Sequence, residues 1–449
     1  MSTNALYRRH LETLDRVLAD ALARAARQGV RATGVLLHAG KAAEYHRDDR
    51  EIVFVPTPHF TRYVPLAGPD HCVLARPGQR PLVVRVAPRD YWYESAPVPA
   101  SYWQDAVELA EVESLEHVTR VTGPLGDVAY LGNSPAAAQT LGIPAALVEP
   151  EALVAPLDWA RAEKTEHELA LLSEAALRAG RGHARARDAF LAGASEREVH
   201  WAYLQATDHL EREMPYETIV AYDEKSATLH YQNKRGREAR ARHTFLLDAG
   251  ATVDGYASDI TRTWVKPGAD AVFEALVKGL DAAQRDLVAM MTPGRPYLDI
   301  HVEAHRRTAR LLAEQRLVRC SADEAFDKGV TRTFLPHGVG HHLGIQVHDV
   351  GGRQATPDGG VVPPPPEYPY LRNTRTLAPG HVVTIEPGFY FVPMLLEALR
   401  ATPAASVVDW GLVERLTPFG GIRIEDDVLC TTGAPRDLTR PHIVGPRGS

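Results

Sequence analysis

The sequence predicts an α+β protein in two parts: a small α/β amino-terminal domain over residues 1–155 and a larger mixed domain over 156–443. Three observations lead there. The chain has 449 residues, too many for one ordinary core. Short β-like runs alternate with helical or loop stretches up to about residue 155, where long helical periodicity rich in Ala, Leu, Glu and Arg takes over. A turn signal, Asp254-Gly255, lies between apolar runs in residues 245–264, which read FLLDAGATVDGYASDITRTW.

The elements follow in chain order. Leu11, Leu14, Val17, Leu18, Ala21 and Leu22 recur at helical spacing, so residues 5–28 form an amphipathic helix that stops at Gly29. Runs 32–38, 52–55, 81–87, 128–131 and 145–148 read as strands. Helical periodicity covers 157–190. Ser195 and Glu198 make a capping box that opens a helix over 196–212. A strand over 218–222 leads into a polar stretch that contains Leu229-His230-Tyr231. Helices over 270–291 and 298–317 are separated by Thr292-Pro293-Gly294. Residues 361–371, VVPPPPEYPYL, read as a rigid surface loop. Strands over 382–386 and 421–430 follow, and the final VGPRGS reads as a protease-site or cloning remnant.

Composition narrows the function. Apolar content of 45% and charged content of 24% fit a globular chain. The net charge is −7 and the pI near 6.3, without a basic block, so neither nucleic acid nor an anionic membrane is indicated as partner. Cys72, Cys320 and Cys430 are odd in number and far apart, which argues against a disulfide framework or a thiolate zinc site and for a cytoplasmic location. The start lacks the apolar core of a signal peptide, and no apolar run is long enough to span a bilayer.

If the Asp254-Gly255 turn closes without a bulge, Asp248 faces Thr261 and Asp259 faces Gly250. Asp248 and Asp259 then share one face, and a divalent cation between them removes their repulsion. Further on, FLPHGVGHHLGIQVHDVGG concentrates His337, His341, His342 and His348 among glycines that allow close approach. Arg423 and Glu425 share a strand face, as do Thr384 and Glu386. Each pattern has a plainer reading: solvated acids, a His-rich loop, an Arg423–Glu425 ion pair. Taken together, Asp248, Asp259, Glu386 and Glu425 with His341 offer hard oxygen donors and one nitrogen. That set suits two ions such as Mn²⁺ or Co²⁺, and Zn²⁺ less exclusively.

The order D-A-G…S-D-I-T-R-T, H-G-x-G-H…V-H-D-V-G, T-I-E-P-G and G-I-R-I-E-D resembles the dinuclear M24 metallopeptidases, over about residues 216–430. L-H-Y and P-Y-L-R-N-T-R resemble the Xaa-Pro dipeptidase (prolidase) branch, near organophosphorus acid anhydrolase. The resemblance implies a creatinase-like amino-terminal domain before a pita-bread catalytic domain. It implies hydrolysis of Xaa-Pro dipeptides by a metal-bridged hydroxide, with side activity on organophosphorus compounds. Asp248 would bind one ion, Asp259 and Glu425 would bridge, and His341 and Glu386 would complete the second, most commonly Mn²⁺. Glu386 would also be general base and proton shuttle, and His348 would stabilise the tetrahedral intermediate. His230 and His337 would line the substrate pocket, Arg423 and Arg372 would hold the dipeptide carboxylate, and Tyr216, Leu229 and Tyr297 would shape the pocket. His342 is given no role. A homodimer is implied, with Asp48 or Asp49 reaching the partner's site. Two rival readings are aminopeptidase P, acting on longer peptides, and a metal-free binding protein of the same fold.

Overall fold

The computed structural model describes residues 2–92, 98, 101–237 and 242–443; the presumed remnant at 444–449 lies outside them. The chain divides into two compact units, residues 1–170 with 354–361, and residues 171–353 with 362–449. The first unit therefore extends beyond residue 155. One reason is local: the helix Glu151–Arg161 buries Leu153 and Leu157 in the same core as Leu14 and Leu18 of the first helix.

That first helix runs Thr3–Arg27 and buries Tyr7, Leu14, Leu18 and Ala21 along one stripe. The chain leaves it through Gly29 at φ 88°. The sheet of this unit contains β1 (Val35–His38), β2 (Cys72–Ala75), β3 (Leu82–Val86), β4 (Glu108–Val112) and β5 (Ala129–Leu131), in the order β4-β3-β2-β1-β5. β1 and β3 each run antiparallel to β2, while β5 and β4 lie parallel on the outside. Two sequence readings differ here. Residues 52–55 are extended but join no sheet, and Val55 is 72% exposed. Residues Ala145–Leu147 form a 3₁₀ turn after Pro144, whose ring fixes φ at −60°.

The second unit opens with the helix Glu166–Leu191, whose first residues belong to the first unit, and continues with Glu196–Thr207. The latter begins at the expected capping box, in which Ser195 and Glu198 exchange side-chain and backbone bonds. β6 (Ile219–Tyr222), β7 (Thr244–Asp248) and β10 (Thr261–Val265) form a sheet in the order β10-β7-β6. Between β7 and β10 the short strands β8 (Thr252–Val253) and β9 (Tyr256–Ala257) close on Asp254 and Gly255, at φ 50° and 86°. Both positive angles are what a tight twisted hairpin requires. Register holds from tip to base: Val253 faces Tyr256, Thr252 faces Ala257, and Asp248 faces Thr261.

The helices Ala271–Ala289 and Tyr297–Glu314 follow. A small hairpin, β11 (Gln354–Thr356) with β12 (Gly359–Val361), is the segment that belongs to the first unit. β13 (Val382–Ile385) pairs with β16 (Asp426–Leu429), which also pairs with β17 (Arg436–Asp437), and β14 (Gly388–Tyr390) pairs with β15 (Gly421–Arg423). The strand expected over 421–430 is thus two strands broken at Ile424-Glu425, and Glu425 instead makes an isolated bridge to Thr261. That bridge ties the hairpin base to the closing strands.

Candidate metal centre

Asp248, at the end of β7, and Asp259, just before β10, reach one cavity of about 510 Å³. Glu386 enters it from the turn between β13 and β14, and Glu425 from the break between β15 and β16. His341 arrives on the glycine-rich loop. A donor atom from each of Asp259, His341 and Glu425 lies within 4.8 Å of the other two. His341 Nε2 is 3.3 Å from Asp259 Oδ2 and 3.8 Å from Glu386 Oε1. His337, His348, His230, Leu229, Arg372 and Arg423 line the same cavity.

The local chain explains the orientation of each donor. His341 donates through Nδ1 to the carbonyl of His342 at 2.9 Å, which leaves Nε2 as the lone-pair nitrogen facing the acids. Thr384 anchors the loop by accepting the His341 N–H at Oγ1, 3.1 Å, while its own N–H donates to the His341 carbonyl, 2.9 Å. Gly340 adopts φ 153°, and a Cβ there would fall 2.0 Å from the Thr384 carbonyl oxygen. The Thr261 hydroxyl donates to Glu425 Oε2 at 2.7 Å. Arg262, 1% exposed, donates to the carbonyls of Thr261 and Glu425 at 2.8 and 2.7 Å and pairs with Asp426. Arg440 joins that network through Asp426 and Gln284, and Gln284 holds the carbonyl of Ile385, next to Glu386, at 3.1 Å.

The electrostatics fit divalent cations. Four buried or half-buried acids share one space. Burial, and then the neighbouring acids, push Glu425 well above the usual carboxylate range. Glu386 is raised to about 7, mainly by burial. Burial also raises Asp248, though Arg423 opposes it. Asp259 alone of the four is lowered: burial raises it, and His341, with Tyr216 and His348, outweighs burial. Asp248 Oδ1 is buried without a hydrogen-bond partner among the described residues. An orphaned carboxylate oxygen, an imidazole lone pair and crowded acids are all satisfied by divalent ions on this donor set.

Two sequence expectations meet a different geometry. Arg423 is 4% exposed, and all three guanidinium nitrogens have protein partners. Nη2 is 2.6 Å from Asp248 Oδ2, Nη1 donates to the Tyr390 hydroxyl at 2.8 Å, and Nε donates to Thr261 Oγ1 at 3.1 Å. The Tyr390 hydroxyl in turn donates to His337 Nε2 at 3.0 Å. Arg423 thus braces Asp248 and His337 instead of presenting an open fork to a ligand. Tyr297 is fully buried, and its hydroxyl donates to the carbonyls of Thr384 and Val339 at 2.8 and 3.2 Å, so it supports the loop from behind and does not line the cavity. Tyr216 sits where Asp248, Asp259 and Glu425, after burial itself, hold its hydroxyl protonated. His348 packs edge-on against His341 at 4.5 Å between centroids, and burial first, then His341 and Arg372, lower it to about 4. His342 is buried against His381, away from the cavity lining. Tyr390 and Arg262 carry no signal in the sequence, and Thr261 is placed there only by its register opposite Asp248, without a role.

The fold and this donor set together define a metal-dependent hydrolase. Residues 170–432 match the family described as metallopeptidase family M24, and residues 5–159 match Xaa-Pro dipeptidase, N-terminal domain. The chain belongs to metallopeptidase family M24. It is 38% identical over 442 residues to an Xaa-Pro dipeptidase of Cronobacter sakazakii, covering 98% of each chain. It is 39% identical over 443 residues to one of Aeromonas hydrophila, covering 98% of this chain and 99% of that one. The solved structure of aminopeptidase P from E. coli with the inhibitor Pro-Leu superposes at a TM-score of 0.71 with 20% identity, over 99% of this chain and 96% of that one. That likeness is one of fold, the pita-bread fold. No helix among the described residues is long and apolar enough to cross a membrane.

Proposed function

We propose that this chain hydrolyses Xaa-Pro dipeptides, releasing proline, with two divalent ions held by Asp248, Asp259, His341, Glu386 and Glu425. The observation that carries the reading is the convergence of these five side chains in one cavity, within a chain alike along its whole length to Xaa-Pro dipeptidases. When bound, the ions supply a water activated near neutral pH and an electrophile for the peptide carbonyl.

The chain's own residues supply the rest. An Xaa-Pro bond is a tertiary amide without an N–H, so recognition falls on the carbonyl and the two termini. His348, neutral at ordinary pH, donates a hydrogen bond to the oxygen that gains charge. Glu386 would take the proton that the attacking water gives up and pass it to the departing proline nitrogen. Arg372 lies in the cavity wall and is exposed, so it takes the free carboxylate of the dipeptide while Arg423 braces Asp248. His230, His337 and Leu229 wall the substrate. The second unit is the catalytic domain and the first its amino-terminal companion.

We also propose Mn²⁺ as the native ion, a cytoplasmic location and a homodimer. Three free cysteines suit a reducing compartment. Tyr45, Ile52, Val53 and Val55 are exposed and flank Asp48 and Asp49 in sequence, apolar surface that a second copy would cover. Replacing both acids by Ala then alters substrate preference and leaves metal content unchanged.

Aminopeptidase P is the competing assignment. Comparing Ala-Pro with Ala-Pro-Ala on metal-loaded protein separates the two. Preferred cleavage of the dipeptide supports the proposal, and preferred cleavage of the tripeptide rejects it.

A further inference from the structure

Glu196 is the first residue of the helix Glu196–Thr207 and is 1% exposed. Its carboxylate meets four donors. Oε1 accepts from the Tyr222 N–H at 3.1 Å and from Lys225 Nζ at 3.5 Å. Oε2 accepts from the Tyr231 hydroxyl at 2.9 Å and from the Arg235 N–H at 2.7 Å. The same helix end adds two more ties. The Arg197 N–H donates to the Arg235 carbonyl at 3.2 Å, and Glu198 takes the Arg237 guanidinium through Nε and Nη2 at 3.2 and 2.9 Å.

Residues 231–237 have neither helix nor strand, so their path is set by side-chain contacts: these bonds, the packing of Tyr231 with Ile219, Ala221 and Leu246, and Lys234 Nζ 3.0 Å from Glu217 Oε1. They follow directly on Leu229 and His230, which line the cavity. On the other side, Ser226 Oγ accepts the N–H of Gly421, in the strand of Arg423, at 2.7 Å. Leu229 and His230 therefore sit on a short span tied at both ends, and the stronger tie is a buried carboxylate.

We propose that Glu196 is a positioning residue: by clasping Tyr231 and Arg235 it fixes where His230 stands against the substrate, without touching the substrate itself. This rests on the reading of the cavity as a dipeptide site. The chemistry of the clasp is specific to a carboxylate. Four donors face an acceptor-only group, and charge assistance strengthens each bond. A glutamine of the same shape has one acceptor oxygen, and whichever way it turns its NH₂ faces a backbone N–H, of Arg235 or of Tyr222, that cannot turn away.

The test is a mutant cycle on metal-loaded protein with Leu-Pro, using E196Q, Y231F, H230A and the double variant E196Q/H230A. E196Q is expected to raise KM about tenfold and change kcat less than about twofold, with bound metal per chain unaltered. Y231F, which loses one of the four bonds and keeps the ring, raises KM by about threefold and carries the test should E196Q not fold. The double variant is expected to be no worse than H230A, because a wall residue already removed cannot be displaced. KM effects of E196Q and H230A that multiply, or an E196Q that folds with an unchanged KM, overturn the proposal. A second readout does not need turnover. Amides of residues 228–237 exchange hydrogen faster in E196Q than in the parent, and unchanged exchange overturns the clasp. Failure of the parent protein to cleave any Xaa-Pro dipeptide refutes the underlying assignment instead, and leaves the exchange result to decide the clasp.

Discussion

His341 shows how one side chain can be prepared for a metal by its own backbone. With Nδ1 committed to the His342 carbonyl, only Nε2 is left to coordinate. Replacing His341 by Ala is expected to lower metal affinity and to cut Leu-Pro turnover by more than about a hundredfold, measured by metal analysis and steady-state kinetics. Arg372→Met should leave metal content alone and raise KM for Leu-Pro by about tenfold or more, with little change in kcat. Much at this scale could be read without coordinates, because acids at fixed offsets from a turn and histidines among glycines are local patterns. What escaped was long-range. Arg423 reaches Asp248 across a sequence separation of 175, and no local pattern distinguishes a guanidinium that clamps a ligand from one that braces a neighbour. Tyr297 is hard to read for the same reason: an aromatic residue at a helix start looks alike whether its hydroxyl meets substrate or, as here, two carbonyls.

The hairpin is the element on which the site depends, and its register places Asp248 and Asp259. A Cβ at Gly250 would lie 1.9 Å from the Ser258 carbonyl oxygen, on the strand pair directly beside both acids. Gly250→Ala is expected to cost about 2 kcal/mol of stability, measured by urea unfolding, and to lower metal affinity as well. The hairpin was legible because Asp254-Gly255 declares its own geometry. β2 and β4 were not. Cys72–Ala75 is four buried residues without alternation, and Glu108–Val112 is an outer strand with exposed Glu108 and Glu111 that reads as polar loop. Conversely, residues 52–55 have strand composition but pair only at their start, through the Ile52 N–H to the Ala43 carbonyl beside a Glu44–Glu51 bridge, and residues 145–148 follow a proline that turns the chain.

For the molecule as a whole, buried titratable groups set the acid limit of stability. Glu168 is held at about 2: burial raises it, but the Arg62 guanidinium, with Nε 3.1 Å from Oε1, together with His10, Lys164 and the Thr165 N–H, outweighs burial. A carboxylate held below its unfolded value of 4.5 stabilises the fold fully above that pH, and the contribution is lost as pH falls from there towards 2. His183, kept neutral by burial with a pKa of about 3, acts in the same direction, since an unfolded histidine gains a proton below 6.5. Glu168 and His183 therefore each lower the unfolding midpoint as pH falls from 6.5 towards 2, against the raised acids of the cavity, and removing either flattens that fall. Glu168→Gln should flatten the acid part of that profile and cost about 3 kcal/mol at neutral pH, because the buried Arg62 guanidinium loses the carboxylate charge that faces it. The α+β class and the order of the two parts were readable from periodicity. The transfer of residues 354–361 to the first unit was not, since a short hairpin carries no sign of the core it joins. The most direct test of the central claim is calorimetric titration of chelated protein with Mn²⁺, followed by Leu-Pro turnover on the same samples. Two ions bound per chain, with Glu425→Gln abolishing binding and turnover together, is the predicted result. A chain that binds no divalent ion, or that cleaves Leu-Pro equally well after chelation, contradicts it.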